Sequence, residues 1–314
     1  MKAAVTGGAG FIGHHLLGGL VTDGHRVSVI DDFSTGRRGR LAPLDGRFVL
    51  TTGSVLDPAA LDHAFAGCDV VFHLAAIASV AQSLVEPRLT NDVNVGGTIE
   101  VMLAAARAGV KRVVLAGSSA VYGIPERLPC RESDRPDPRS PYAASKLAAE
   151  HYQHSLGRLY GVETVALRFF NVYGPGQDPA SEYAAVVPRF ITAVLEGRRP
   201  VINGSGDISR DFVYVGDVVE ACRLAAQPAA PSALTCNVAS GLPTGLDELL
   251  GSMCAAVGRN VDPVLGAERP GDIPHSLADT LLAAEALGYR ARVTLGEGIA
   301  RTVASFRESA SPEG

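Results

Sequence analysis

Over residues 1–118, apolar positions fall into short runs separated by longer stretches with helical spacing. KAAVT (2–6) is almost wholly apolar and stops at glycines, and RVSVID (26–31) is β-branched and alternates. RFVLTTG (47–53), DVVFHLA (69–75) and KRVVLAGS (111–118) repeat that type. Between them lie FIGHHLLGGLVTDG, ending at Gly24, then PAALDHAFAG, then NVGGTIEVMLAAARAG (94–109), closed by Gly109. Strands alternating with helices in this way predict an α/β fold, a doubly wound parallel sheet covered on both faces.

Residues 123–141 hold five prolines and many charges, so they read as a loop. Ser140 suits a helix N-cap and Pro141 the first turn, which starts a helix just before Tyr142 and carries it to 160. TVALRFFNV (164–172) reads as a sixth strand. Beyond it the pattern loosens around GPGQDP, RRPVINGSGD, ASGLPTG and ERPGDIP. That change predicts a smaller α/β lobe. The expected division is 1–167 for the wound sheet, with a return to it around 210–238, and 168–209 plus 239–314 for the second lobe.

Composition narrows the class. The 314 residues are 46% hydrophobic and carry a net charge of −5, with no basic stripe, which argues against a nucleic-acid partner. No run of apolar residues reaches membrane length, and glycines break the N-terminus before a signal-peptide core forms. The five cysteines, Cys68, Cys130, Cys222, Cys236 and Cys254, are scattered and include no C-x-x-C. Neither a disulfide framework nor a zinc site is expected, and the setting expected is the cytoplasm.

The first candidate chemistry is TGGAGFIG (6–13). It satisfies G-x-G-x-x-G through Gly8, Gly10 and Gly13, and G-x-x-G-x-x-G through Gly7, Gly10 and Gly13. Placed between a strand and a helix, such glycines let backbone approach a pyrophosphate at the helix N-terminus. The second strand ends at Asp31, eighteen residues after Gly13. A carboxylate there accepts from a ribose diol and repels a 2′-phosphate, so NAD is expected rather than NADP. Arg37 and Arg38 stand close enough in sequence to compete as phosphate receivers.

The second is Ser118, Tyr142 and Lys146. Ser118 ends the fifth strand, at the edge where such sheets bind ligands. Tyr142 and Lys146 are four apart on the next helix and share a face. A cation beside a phenol lowers its pKa, which makes Tyr142 a candidate base for a substrate hydroxyl while hydride leaves the same carbon. Ser118 is placed to hydrogen-bond the reacting oxygen. The histidines, among them His14, His15 and His73, receive no catalytic role.

The motifs TGGAGFIG, DDFSTG, HLAA, NVGGT, SSAVYG, PYAASK and RFFNVYGPGQ stand in series between residues 6 and 177, within a resemblance that covers nearly the whole chain. In order and spacing the sequence resembles the extended short-chain dehydrogenase/reductases, and within them the nucleotide-sugar 4-epimerases. The resemblance implies NAD contacts from Gly7, Gly10, Phe11, Ile12 and Gly13. It adds Asp31, Asp32, Ser34, Thr35 and Gly36, then Ser54 and Val55. Leu74, Ala75, Ala76 and Asn94 follow, with Tyr142 and Lys146. It also implies a UDP-sugar held by Ser79, Ser118, Ser119, Tyr142 and Asn171. Val186, Val201 and Asn203 fall where relatives hold uridine, Arg210 at the diphosphate arginine, and Arg269 and Asp272 at a second nucleotide clamp. The helices 94–109 and 142–160 resemble those that pair relatives into homodimers.

In the related dehydratases an acidic pair follows the catalytic Ser or Thr, and in the decarboxylases a glutamate stands two places on. Here those positions are Ser119 and Ala120. The resemblance therefore implies 4-epimerisation through a 4-keto sugar. A 4-ketoreductase or dehydratase on the same scaffold and a non-catalytic nucleotide sensor remain as alternatives. Two departures weaken the expected grip on NAD: Ser54 stands where relatives often have Asp, and Ala78 where many have Lys. In 4-epimerases the residue seven after the clamp arginine, here Ser276, lines the sugar pocket near C2, and a tyrosine there fills the space of an N-acetyl group. Serine leaves room, and QDPASEYAAVVP resembles the subgroup that prefers N-acetylated sugars. UDP-GlcNAc and UDP-GalNAc are the expected pair, with UDP-Glc and UDP-Gal as further substrates.

Overall fold

The computed structural model describes residues 1–178, 185–203, 207–267 and 273–310. Its centre is a seven-stranded sheet. The strands are β1 (Lys2–Thr6), β2 (Arg26–Asp31), β3 (Val49–Thr52), β4 (Val70–His73), β5 (Arg112–Ser118), β6 (Glu163–Phe169) and, late in the chain, β10 (Leu234–Val238). Their order is β10-β6-β5-β4-β1-β2-β3, every neighbouring pair parallel. This is the expected doubly wound sheet. Chain order reverses between β1 and β4, the place where such sheets open a ligand crevice.

Each face of the sheet buries its own helices. On one side α1 (Phe11–Thr22) and α8 (Val215–Ala225) press Leu16, Leu17, Leu20, Val218 and Ala221 onto β1, β2 and β6. On the other, α2 (Pro58–Phe65) and α5 (Gly97–Arg107) contribute Leu61, Phe65, Val101, Met102 and Ala105. The strands are apolar on both faces for this reason. α6 (Pro141–Tyr160) starts as expected, with Ser140 Oγ accepting the Ala143 N–H at 3.1 Å and Pro141 in the first turn.

Several elements differ from the sequence reading. The stretch 164–172 is two strands: β6 stops at Phe169, and β7 (Asn171–Tyr173) leaves for a three-stranded sheet with β9 (Ser209–Tyr214) and β11 (Pro243–Gly245). The apolar run continues across the break, so periodicity does not mark it. Two short helices, α3 (Val80–Val85) and α4 (Pro87–Asn91), were not expected, because Pro87 interrupts their pattern. A π-helical turn over 92–96 joins α4 to α5.

The second lobe packs α7 (Val186–Leu195), α9 (Leu246–Val257) and α11 (Leu295–Ala310) around Val187, Phe190, Phe212, Leu249, Met253 and Ile299. A two-stranded pair, β8 (Val201–Asn203) with β12 (Val264–Gly266), flanks it, and α10 (Leu281–Leu287) lies against β10. Among the described residues no helix is long and apolar enough to cross a membrane.

Candidate active site

The carboxyl ends of β1, β4, β5 and β6 share one edge, with Thr6 beside His73 and Ser118 beside Phe169 in register. From that edge the glycine loop turns into α1. Its packing excludes side chains: a Cβ on Gly13 would lie 2.1 Å from the Gly7 carbonyl oxygen, and one on Gly8 2.6 Å from Val29. Gly10 caps α1 without a side-chain acceptor, so the first amides of that helix face the crevice uncapped. Asp31 is buried at its side. Oδ2 accepts the Ala9 N–H and Oδ1 the Phe33 N–H, both at 2.8 Å, and each oxygen keeps a lone pair for a ribose diol. Burial raises the Asp31 pKa, and these two N–H groups oppose the rise.

The turn after Asp31 fits the same ligand. Phe33 holds a left-handed φ of 60°, a cost tolerated where the geometry is needed. A Cβ on Gly36 would meet Asp31 Oδ1 at 2.6 Å. Asp32 Oδ1 accepts from the Ser34 amide and hydroxyl, and Thr35 follows in the same turn. The arginines considered as receivers of a 2′-phosphate are engaged elsewhere: Arg37 pairs with Asp178, and Arg38 lies 4.0 Å above the Phe33 ring and donates to Thr52. Uncapped helix amides, excluded side chains and a ribose-facing carboxylate together fit NAD.

Beside this groove is a cavity of about 730 Å³, within the usual range of small-molecule sites. It brings together Ile12, Leu74, Ala76, Ser118, Ser119, Tyr142, Lys146, Asn171, Val186, Val201, Asn203 and Arg210 from the expected set. Other expected residues sit off its wall. Ser79 caps α3, its Oγ accepting the Gln82 N–H at 3.0 Å. Ser54 Oγ accepts the Leu56 N–H, Val55 is buried against α5, and Ala75 donates its amide to Thr6 Oγ1. Asn94, in the π-helical turn, is buried, with its amide committed to both backbone groups of Ile77 and to Ser145 Oγ. Arg269 and Asp272 lie outside the described residues.

Ser276 is not among the lining residues, but its strip is pinned beside one that is. Ser276 N donates to the Ser209 carbonyl, Ser209 Oγ pairs with His275 Nδ1, and Asp211 Oδ2 accepts the Ala278 N–H. Since Ser209 and His275 face each other, strand alternation turns Arg210 and Ser276 to the opposite face.

Ser118, Tyr142 and Lys146, the candidate catalytic set, line one cavity, but their electrostatics differ from the expectation. The Tyr142 phenol has its pKa raised, not lowered: burial penalises the phenolate, and the hydrogen bond to Ser118 only partly offsets this. The Lys146 ammonium does not turn to the phenol. It donates to the Ala116 carbonyl at 2.9 Å, and burial lowers its own pKa to about 8. Sharing a helix face let the two side chains meet; the carbonyl at the end of β5 offered the amine a closer partner.

Buried networks that the sequence did not reveal hold this arrangement. Thr6 Oγ1 accepts from the Leu74 and Ala75 amides, so its own proton goes to His73 Nδ1. His73 Nε2–H then donates to Thr98, and Thr98 to the Asn94 carbonyl. Burial takes the His73 pKa to about 3, so this histidine is a neutral strut. Behind Ser119, Arg168 grips Glu150 through two hydrogen bonds and donates to the Tyr122 hydroxyl, which donates to Asn237. Also missed was Arg189, which lines the cavity three residues after Val186; helical spacing from Val186 was its only signal.

A wound parallel sheet, a glycine-loop dinucleotide groove and a Ser–Tyr–Lys set define a dinucleotide-dependent enzyme class. A family model described as the NAD dependent epimerase/dehydratase family matches residues 3–239, and the chain belongs to that family. It is 41% identical over 312 residues to a UDP-glucose 4-epimerase of Mycolicibacterium smegmatis, covering 98% of this chain and 99% of that one. A UDP-glucose 4-epimerase of Thermotoga maritima, solved with UDP-glucose, superposes with a TM-score of 0.94 at 35% identity, over 99% of this chain and 100% of the other. A UDP-N-acetylglucosamine 4-epimerase of Methanobrevibacter ruminantium, solved with UDP-N-acetylmuramic acid, gives 0.93 at 38% identity over 98% of each chain.

Proposed function

We propose that this protein is an NAD-dependent 4-epimerase of UDP-sugars, acting on UDP-GlcNAc and UDP-GalNAc and, comparably or less well, on UDP-Glc and UDP-Gal. One observation carries the choice of reaction: among the described residues lining the cavity there is no Asp or Glu. Elimination of water needs an acid and a base at the sugar, and relatives that lose carboxylate carry a glutamate there. Proton and hydride transfer at C4 needs no carboxyl group there. Glu150, a buried acid on the same helix as Tyr142 and Lys146, is spent on Arg168.

The glycine loop and Asp31 would hold NAD, which when bound would supply a reversible hydride acceptor for C4 of the sugar. Tyr142 accepts the C4 hydroxyl proton and gives it back. Ser118 hydrogen-bonds the same oxygen, and Lys146 holds positive charge one helical turn away. Asn171 and Arg210 take the diphosphate, with Arg269 and Asp272 as the second clamp; Val186, Val201 and Asn203 hold uridine. Arginine suits bidentate phosphate contacts.

The test is incubation with each UDP-sugar, following the C4 epimer by chromatography. Epimer formation without net NADH consumption supports the reading. A product that forms only with stoichiometric NADH indicates a ketoreductase. A protein that holds NAD and UDP yet converts none of the four sugars is a sensor.

Lysine chemistry gives a pH prediction. Wild-type turnover should climb with pH as phenolate forms, then level off as pH passes about 8, where Lys146 loses its proton. Lys146→Met should lower turnover at neutral pH and push the optimum upward, because removing a cation favours the neutral phenol. A lowered rate with an unmoved optimum would assign Lys146 to holding the Ala116 strand end instead.

We also place the protein in the cytoplasm, consistent with five buried, unpaired cysteines, and as a homodimer. α3, α4 and α6 pack together and leave Leu84, Val85, Leu89, Tyr152 and Leu159 exposed, Val85 by 74%. An isologous pairing of that face would cover them. Light scattering at micromolar protein should give twice the monomer mass; a monomer would refute the dimer and leave the chemistry untouched.

A further inference from the structure

Arg40 grips the glycine loop from outside the dinucleotide groove. Its Nη1 donates to the Ala9 carbonyl at 3.2 Å and its Nη2 to the Gly176 carbonyl at 2.8 Å. Ala9 belongs to the glycine loop, and its own N–H is the one that Asp31 accepts. Gly176 lies after β7, next to Gln177, which lines the cavity. One guanidinium thus joins the backbone of the cofactor loop to the backbone of the substrate wall.

Two more contacts keep these segments in register. His15 Nε2–H donates to the Pro175 carbonyl at 2.8 Å. Gly176 has a φ of 80°, and a Cβ there would lie 3.1 Å from two atoms of the His14 ring, so the loop runs tight against α1. Burial lowers both histidine pKa values, that of His14 to about 4, which keeps the contacts insensitive to pH near neutrality. On the cavity side Gln177 Nε2 donates to the Val172 carbonyl at 3.1 Å. The segment from Asn171 to Gln177 is thus tied to itself, with cavity-lining residues along it and the acceptor of Arg40 at Gly176.

We propose that Arg40 is a positioning residue that couples the dinucleotide loop to the sugar-nucleotide wall, so that NAD and the UDP-sugar each tighten the hold of the other. This rests on the function proposed above. Reciprocity is required of any such coupling. A planar, permanently charged fork is suited to holding two carbonyls on separate loops. The coupling also has a use: a redox-neutral cycle needs NAD to stay through turnover, and Ser54 and Ala78 offer it less than relatives do.

The test is the rate of NAD release from the loaded full-length protein, read by an auxiliary NAD-consuming enzyme, with and without saturating UDP. UDP should slow release from the wild type by about tenfold, within the usual span for coupled sites. In Arg40→Ala and Arg40→Lys the slowing should fall below about twofold while UDP still binds. The lysine variant also serves if the alanine variant does not fold. Arg47→Ala should keep the effect, since Arg47 reaches the Val21 carbonyl at the other end of α1. Full slowing in Arg40→Lys would make charge, not bridging, responsible and overturn the proposal. So would a wild type that epimerises and binds UDP yet releases NAD at one rate throughout. A wild type that shows the slowing without epimerising any sugar would instead overturn the proposed function.

Discussion

Tyr142→Phe should fold and bind NAD as the wild type does, and turn over about 10³-fold more slowly or worse. The ring survives the substitution, so packing survives. The stability lost is that of one hydrogen bond to Ser118, about 1 kcal/mol. What disappears is the proton acceptor. Apart from Tyr142, the titratable side chains among the described lining residues are Lys146, Arg189 and Arg210. The arginines stay protonated, and the Lys146 amine is turned to Ala116. No other group at the wall is placed to take a C4 proton. A loss of that size is about 4 kcal/mol of transition-state stabilisation. Turnover within about tenfold of wild type, only ~1.4 kcal/mol, would show that Tyr142 is not the base.

The raised pKa of Tyr142 is what spacing could not reveal. Residues four apart on a helix share a face, and the sequence states that much. Whether an amine then points to the phenol or to a strand carbonyl depends on where β5 ends relative to α6, which is tertiary. Other outcomes divide along the same line. The glycine loop, Asp31, Ser118 and the start of α6 are set by local rules: conformational freedom, a strand end, an N-cap. All of them were legible. The break at Phe170 was not, because both halves of 163–173 are apolar and only their partners differ. Arg40 was not either. Its two acceptors lie 31 and 136 residues away, and nothing near it in sequence marks it. Asn94 shows the reverse case: a motif residue legible as a site member is placed beneath the crevice, its amide used to tie Ile77 to Ser145.

Ser276→Tyr should suppress turnover of UDP-GlcNAc and UDP-GalNAc by about 10²-fold and spare UDP-Glc and UDP-Gal. What changes is side-chain volume at a fixed place. Ser276 is held beside β9 by its own amide on Ser209, by the His275–Ser209 contact and by Asp211 on Ala278. Alternation gives it the same face as Arg210, which lines the cavity and is proposed to hold the diphosphate next to the sugar. Ser276 itself is not among the residues lining the cavity, and serine is the smaller side chain by a whole ring. A tyrosine ring from the same backbone position extends toward the cavity, and the strip cannot retreat, because Asp211 accepts hydrogen bonds from Ser240 and Gly241 as well as from Ala278. The bulk therefore returns where an acetamido group would sit, and a simple hydroxyl at C2 does not need that room. The measurement is kcat/KM for all four sugars in wild type and variant. A uniform loss would place the tyrosine against the diphosphate clamp instead. A wild type that epimerises UDP-Gal but never UDP-GalNAc would show that the open space at Ser276 does not admit the acetyl group, and the assignment of this residue to substrate size would be wrong.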